Sequence, residues 1–143
     1  MRFAQLTVAV IAALGLSSAM AADEVVKFTI QGGIAAGKAS TRDKIGDDIA
    51  LYFGSQKTPA VEKKIGEWDS NRTSSRRSQQ ERCEIAFASA IIALQNRART
   101  EGGNAVINIT SGGGESSTSE FTCTSGRAMA RVRLKGTVVK LKK

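Results

Sequence analysis

One segment near the middle of the chain constrains the fold most strongly, because it carries a helix signal at each end. Ser78 and Glu81 have the spacing of a capping box, in which two side chains satisfy amide donors that a helix start leaves free. The Gly-Gly-Asn run at 102–104 tolerates the left-handed backbone at which many helices stop. We therefore predict a helix over residues 79–101.

The apolar residues inside this segment indicate how the helix is buried. Six of them recur at intervals of three and four positions and form one stripe. They are Cys83, Phe87, Ala90, Ile91, Leu94 and Ala98. Four further apolar residues, at positions 85, 86, 88 and 92, widen this stripe. We expect the helix to pack under a sheet, with Cys83 pointing toward the core.

The rest of the chain alternates between strand and turn signatures. Short β-prone runs, each followed by glycine or another turn residue, predict strands. These runs are 25–30, 49–53, 61–68, 105–109, 120–123 and 130–141. We expect 49–53 to be buried and 61–68, with its charged centre, to lie at an edge. Residues 34–45 indicate a weak helix, and the polar residues 69–77 indicate a surface loop.

The last strand has the most regular pattern. Ala130, Val132 and Leu134 alternate with Arg131, Arg133 and Lys135. Strict alternation is typical of a strand with one buried face, so the basic residues should share the exposed face. Gly136 interrupts the pattern and is expected to mark a bend or a bulge.

The first 21 residues are typical of a secretory signal peptide. A positive start at Arg2, an apolar run over 3–16 and the Ala19-x-Ala21 pattern support cleavage after Ala21, with Ala22 as the next choice. The apolar run is shorter than the roughly 20 residues that span a bilayer, which disfavours an uncleaved anchor. Processing would leave 22–143 as a single domain without a transmembrane span, in the periplasm or released.

The chain contains two cysteines, Cys83 and Cys123. An even number in an exported protein favours a disulfide, which would stabilise the fold by roughly 4 kcal/mol on the chain-entropy account. Two free thiols or a catalytic redox pair are the alternatives, and no C-x-x-C motif supports the second. With the strand pattern, this predicts an α+β fold in which one antiparallel or mixed sheet packs on a long disulfide-tethered helix.

The run from Gly32 to Lys38 has some features of a phosphate-binding loop, since it follows a predicted strand and precedes a predicted helix. Such a loop needs Ser or Thr directly after the lysine to bind magnesium. Here Ala39 follows the lysine, and Ser40 is one position out of register. We interpret the run as a glycine-rich turn before a short helix and reject an ATPase activity.

Composition excludes many familiar catalytic arrangements. The chain has no histidine, which removes imidazole bases and imidazole metal ligands. A hydrolase that uses carboxylates such as Asp47, Asp48 or Glu101 is an alternative, although these residues lie beside glycines and are explained more simply as turn and helix-end residues. No nucleophile–base pairing is visible, so we predict no catalytic residue, no cofactor and no metal site.

The formal net charge of +8 directs attention to the basic residues. We predict a candidate anion-binding surface from two clusters of them. The residues are Arg72, Arg76, Arg77, Arg82, Arg131, Arg133 and Lys135. Arginine favours phosphate because its planar fork donates two parallel hydrogen bonds. A merely solubilising charged face is the alternative.

These observations predict a non-catalytic periplasmic or secreted binding module. Its partner would be an anionic envelope component, either lipid phosphate or acidic polysaccharide, or an envelope protein. Nucleic acid is disfavoured by the compartment and by an aromatic content of 5%.

Several stretches carry a resemblance to known proteins. The cysteine-bearing helix, the LQNRAR run at 94–99, GGNAV at 102–106, LYFG at 51–54 and the strand at 131–141 resemble a group of small exported proteins often labelled excinuclease ATPase subunit-like. More distantly, the helix that leads through Gly-x-Asn-Ala-Val into a strand resembles the outer-membrane lipoprotein sensor of the Rcs envelope-stress system and the YbjQ-like fold. That resemblance implies a disulfide between helix and sheet. The chain lacks the sensor's lipid-attachment cysteine and two of its four disulfide cysteines, so the resemblance concerns fold more than activity.

Overall fold

The computed structural model describes residues 23–40, 42–114 and 116–143, and the predicted signal peptide lies outside them. Two helices and six strands follow one another in this part of the chain. They are β1 (Glu24–Thr29), α1 (Ile30–Ala39), β2 (Ala50–Phe53), β3 (Val61–Ser74), α2 (Gln79–Glu101), β4 (Ala105–Ser111), β5 (Glu120–Ser125) and β6 (Ala130–Leu141). None of the described helices is both long and apolar enough to cross a membrane.

The sheet is built around β6. On one side β6 pairs antiparallel with β3 along its whole length, from Leu141 opposite Val61 to Ala130 opposite Ser74. On its other side it pairs antiparallel with β4 and, at its start, with β5. β1 extends the sheet antiparallel to β5, and β2 extends it parallel to β4. The predicted α+β class with a mixed sheet is therefore confirmed, and β3 lies at an edge as predicted.

The two ends of α2 form where the sequence predicts them. The Ser78 hydroxyl accepts a hydrogen bond from the Glu81 amide at 3.1 Å, which satisfies one of the free donors at the helix start. Gly102 adopts a left-handed backbone with a φ of 79° at the other end. All six residues of the predicted stripe are buried, and both helices pack on the same side of the sheet.

The disulfide between Cys83 and Cys123 joins α2 to β5 with a Cα–Cα distance of 5.8 Å. The predicted pairing is confirmed, and the free-thiol alternative is wrong. Both residues are almost completely buried, so the bond is a cross-link inside the core.

The prediction of a glycine-rich turn followed by a helix over 34–45 was wrong in its bounds. α1 begins at Ile30, because the Thr29 hydroxyl accepts from the Gly32 amide at 3.1 Å and caps the helix. A Cβ on Gly33 would lie 2.3 Å from the Phe87 ring, so this glycine permits close packing of α1 on α2. The helix stops at Ala39, and the chain turns back so that Ile45 enters the core.

The predicted loop over 69–77 is also corrected. β3 continues through Ser74, because residues 69–74 pair with β6. The residues on both faces of this part of the strand are polar. Ser70 and Ser74 are buried on the helix side, and Asn71 and Thr73 are exposed on the other side. Such a pattern resembles a loop in sequence, although here it belongs to an edge strand.

Two smaller corrections concern β2 and Gly136. The run 49–53 was expected to be buried, but only Ile49 and Phe53 are buried and Ala50 is exposed, because β2 lies at the margin of the sheet. The bulge expected at Gly136 lies in the partner strand β4, where Asn108 adopts a φ of 50°. A Cβ on Gly136 would lie 2.5 Å from Val106, so the glycine allows this bulged strand to approach.

Candidate anion-binding surface

The structure separates the seven basic candidates into three groups. Arg131, Arg133 and Lys135 project from β6 on the open side of the sheet, opposite the helices. Arg72, Arg76 and Arg77 lie at the end of β3 and in the loop that follows. Arg82 is buried in the first turn of α2.

The open side of the sheet carries a group of exposed cations that share one surface. Lys27 of β1 lies on the same side as the three basic residues of β6. Val25 of β1 is opposite Thr124 of β5, which is opposite Arg131 of β6, and Lys27 is two residues after Val25 and therefore faces the same side. We call these four residues, Lys27, Arg131, Arg133 and Lys135, the basic face. All four are exposed, as the alternation in β6 predicts.

The cross-strand neighbours determine where the electrostatic potential of the basic face is most positive. Arg131 lies opposite Thr73 and Arg133 opposite Asn71, so neither has a carboxylate directly across from it. Lys135 lies opposite Asp69. Since an opposite charge at this spacing offsets the local potential, the basic face is most positive toward Arg131 and Arg133.

Arg82 holds two loops together beneath one end of this surface. Its Nη1 donates to the carbonyl oxygens of Arg76 at 3.0 Å and Arg77 at 3.2 Å, and its Nη2 donates to the Gly126 carbonyl at 3.1 Å and the Ser125 hydroxyl at 3.4 Å. With 7% of its surface exposed, Arg82 does not belong to the predicted ligand-facing surface. It is instead a positioning residue that fixes the loops.

The two loops held by Arg82 present further arginines. Arg76 and Arg77 come from the loop after β3, and Arg127 comes from the turn between β5 and β6. We call these three residues the loop end. Ala128 lines one shallow depression together with Arg76 and Arg77, which shows that the loops are adjacent. Arg77 and Arg127 form no ion pair within the described ranges, while the Arg76 Nε lies 4.0 Å from Glu81.

Arg127 was missed by the sequence argument. It lies in the short turn between β5 and β6. A prediction that these two strands form a hairpin would have placed Arg127 beside the start of β6. Exposed apolar side chains accompany it. Met129 is 53% exposed in the same turn, and Val25 is 69% exposed beside Thr124 on the open side of the sheet.

The three carboxylates considered for hydrolysis do not converge. Asp47 contacts Lys38 at 3.3 Å, and Glu101 contacts Arg97 at 3.4 Å. Asp48 accepts two hydrogen bonds of 2.7 Å from Arg99. The Arg99 guanidinium lowers the pKa of Asp48 to about 2, so this carboxyl is ionised at neutral pH and has no proton to donate.

No protein-family model, curated protein or solved structure matches this chain. The two resemblances drawn from sequence therefore stay predictions. Among residues 23–40, 42–114 and 116–143, no group of three or more histidine, cysteine or acidic side chains could hold a metal ion.

Proposed function

We propose that the domain is a non-catalytic binding module that acts outside the cytoplasm and engages an anionic lipid surface through the basic face. One observation carries this proposal. Arg131 and Arg133 stand exposed, with neutral cross-strand neighbours, on the side of the sheet that the helices leave open. The internal disulfide supports an oxidising compartment, which agrees with the predicted export signal.

The apolar residues beside the arginines favour lipid over an acidic polysaccharide. Val25, Thr124 and Arg131 follow one another across three neighbouring strands, so Val25 shares the open side with the basic face. Met129 projects from the turn that also carries Arg127. A surface that combines exposed apolar side chains with arginines suits the boundary between lipid headgroups and acyl chains.

Vesicle sedimentation tests this function. The domain should bind vesicles that contain phosphatidylglycerol and should not bind phosphatidylcholine vesicles, and binding should weaken as salt rises because exposed charges are screened. Each basic residue at an anionic surface contributes about 1 kcal/mol, so the double variant Arg131→Gln/Arg133→Gln should bind roughly 30-fold more weakly.

The control variant removes the same charge from another part of the molecule. Lys57→Gln/Lys143→Gln alters two exposed lysines outside the basic face and should lower binding about twofold at most. An equal loss in both double variants would mean that the basic face only solubilises the protein. Binding to alginate beads but not to anionic vesicles would replace the lipid with an acidic polysaccharide.

A further inference from the structure

A cleft of about 580 Å³ lies on the helix side of the sheet, between α2 and the end of β3. This volume is within the usual range for small-molecule sites, roughly 300–1,000 Å³. The cleft is separated from the basic face by the sheet itself, because α2 and the basic face lie on opposite sides. Its occupant is therefore a question distinct from binding to a lipid surface.

The two walls of the cleft differ in chemistry. The α2 wall carries Ile85, Ala88, Ile92 and Ala93, which form an apolar strip along one helix face. The opposite wall is formed by Arg72–Arg76 of the β3 end and its loop, which carry two guanidinium groups and several hydroxyls. A cleft with one apolar and one cationic wall matches a ligand that is itself apolar on one side and anionic on the other.

The guanidinium of Arg72 has capacity for a ligand. Its Nη1 donates to the Asn71 carbonyl at 3.0 Å, and it forms no ion pair in the part of the chain that the structure describes. Arg76 adds a second guanidinium, whose Nη1 donates to the Ser75 carbonyl at 2.9 Å and whose Nε lies 4.0 Å from Glu81. Arg42 and Asp43 also line the cleft and offset each other in charge. Arg72 and Arg76 thus leave the β3 side positive.

Ser74 supplies an independent observation. Its residue surface is 8% exposed, it lines the cleft, and its hydroxyl has no hydrogen-bond partner within the described residues. A buried hydroxyl without a partner costs free energy, so such groups commonly mark a place where a ligand or water completes the hydrogen bonding. Ser74 lies on the helix side of β3, next in alternation to Arg72.

From these contacts we propose that the cleft binds a small amphiphilic anion. Its phosphate or carboxylate group lies against Arg72 and Arg76, where guanidinium forks donate paired hydrogen bonds. Its short apolar body lies against Ile85 and Ile92 of α2. Ser89, which lines the cleft between these isoleucines in sequence, is positioned to be covered by the ligand.

Titration of the ¹⁵N-labelled domain, residues 22–143, with octyl phosphate below its micelle concentration tests this site. The amide signals of Ser74, Ser89 and Asn96 should shift together along one saturable curve. Inorganic phosphate, which lacks the apolar body, and octyltrimethylammonium, which has the opposite charge, should each bind at least tenfold more weakly.

Two variants separate the cleft from general electrostatics. Arg72→Gln should weaken octyl phosphate binding roughly tenfold or more, since it removes a charge-assisted hydrogen bond. Lys57→Gln removes the same charge from an exposed position outside both the cleft and the basic face and should change the affinity less than twofold. Equal losses in these two variants, or equally tight binding of octyltrimethylammonium, would overturn the proposal.

A third variant blocks the cleft without changing its charge. Ser89→Phe should abolish the octyl phosphate shifts while vesicle binding through the basic face persists, and its thermal transition would verify that the protein remains folded. Retained octyl phosphate binding in a folded Ser89→Phe domain would contradict the assignment. The double variant Arg131→Gln/Arg133→Gln tests the basic face separately. If it loses vesicle binding but still binds octyl phosphate in the cleft, the two sites are distinct.

Discussion

At the scale of single residues, Arg82 keeps a positive charge in a buried position where neutral oxygen atoms surround it. Three backbone carbonyls and one hydroxyl accept its hydrogen bonds, and they belong to two loops that are distant in sequence. Removing a charge from water is costly, and these four contacts offset that cost, although the buried Nε of Arg82 has no hydrogen-bond partner among the described residues. The geometry of the loop end therefore depends on a side chain that no ligand touches.

Replacing Arg82 by Met should lower the free energy of unfolding by about 3 kcal/mol, because buried carbonyls lose their donors. Arg82→Lys should rescue little of this loss, since one ammonium group cannot reproduce the planar fork. Denaturant unfolding measures both variants. Arg127→Met, an exposed arginine in the connected turn, is the control and should stay within about 0.5 kcal/mol of the unsubstituted protein.

The Asp48–Arg99 pair makes the free energy of unfolding depend on pH in the acidic range. The pKa of Asp48 falls from its ordinary value of 3.8 to about 2 in the folded protein, chiefly through its hydrogen bond with Arg99. The contribution of the pair is therefore complete above pH 3.8 and is lost as the pH falls toward 2.

Asp48→Asn should reduce the loss of unfolding free energy that accompanies a fall in pH from 3.8 toward 2. Arg99→Gln should have the same effect. Urea unfolding between about pH 2 and 6 measures it. Curves for the unsubstituted protein and Asp48→Asn that stay parallel over this range would show that the pair does not couple folding to the proton.

At the scale of elements, α1 exists where it does because glycine allows it to pack closely on α2. Gly33 faces Phe87, whose ring stacks on Phe121 at a centroid distance of 4.3 Å and cannot move aside easily. Gly32 faces the flexible end of Glu84 instead. Two neighbouring glycines in one helix are thus under different constraints.

Gly33→Ala should destabilise the fold even though alanine is the better helix former by about 1 kcal/mol, because the added methyl group collides with the Phe87 ring. Gly32→Ala is the matched control and should be close to neutral, since the Glu84 side chain can move and the better helix propensity of alanine offsets the 3.0 Å approach to the Thr29 hydroxyl. Thermal unfolding of the two variants makes the comparison. A higher melting temperature for Gly33→Ala would contradict the packing described for α1.

These elements also show how far sequence patterns reach. α2 was predictable because its cap, its stripe and its terminal glycine are local signals. The start of α1 has a local cap in Thr29, but the glycines that follow it argue against a helix. The contact that requires Gly33 comes from a residue more than 50 positions away. β3 was shortened in the prediction because its second half is polar on both faces, and only its pairing with β6 makes it a strand.

Sequence patterns likewise predict some parts of the candidate site and not others. Alternation along β6 was enough to place Arg131 and Arg133 on an exposed face. The burial of Arg82 depends on two loops meeting over the start of α2, which no local pattern reports. The α2–β3 cleft is likewise a product of packing, and Arg42 enters its lining from a third segment of the chain.

At the scale of the whole molecule, the disulfide connects the helical layer to the sheet. The cross-link spans 40 residues and encloses β4 as well as most of α2. Closing a loop of this length restricts the unfolded chain, which stabilises the folded state by roughly 4 kcal/mol on the chain-entropy account.

Cys83→Ala/Cys123→Ala should therefore lower the free energy of unfolding by roughly 4 kcal/mol. Denaturant unfolding with and without a reducing agent measures the effect, and the double variant serves as the control because its curve should not respond to the reductant. If the reductant leaves the curve of the unsubstituted protein unchanged even after complete unfolding and reduction, the cross-link does not contribute to stability as described.

If the basic face binds anionic lipid, the open side of the sheet must approach the vesicle surface. Paramagnetic broadening by spin-labelled phosphatidylglycerol vesicles tests this orientation, because it reports which amides approach the lipid. We expect strong broadening at Arg131, Arg133 and Met129 and little at Ser89 and Asn96, which lie on the helix side. Broadening that is strongest along α2, or equal on both sides of the sheet, would contradict it.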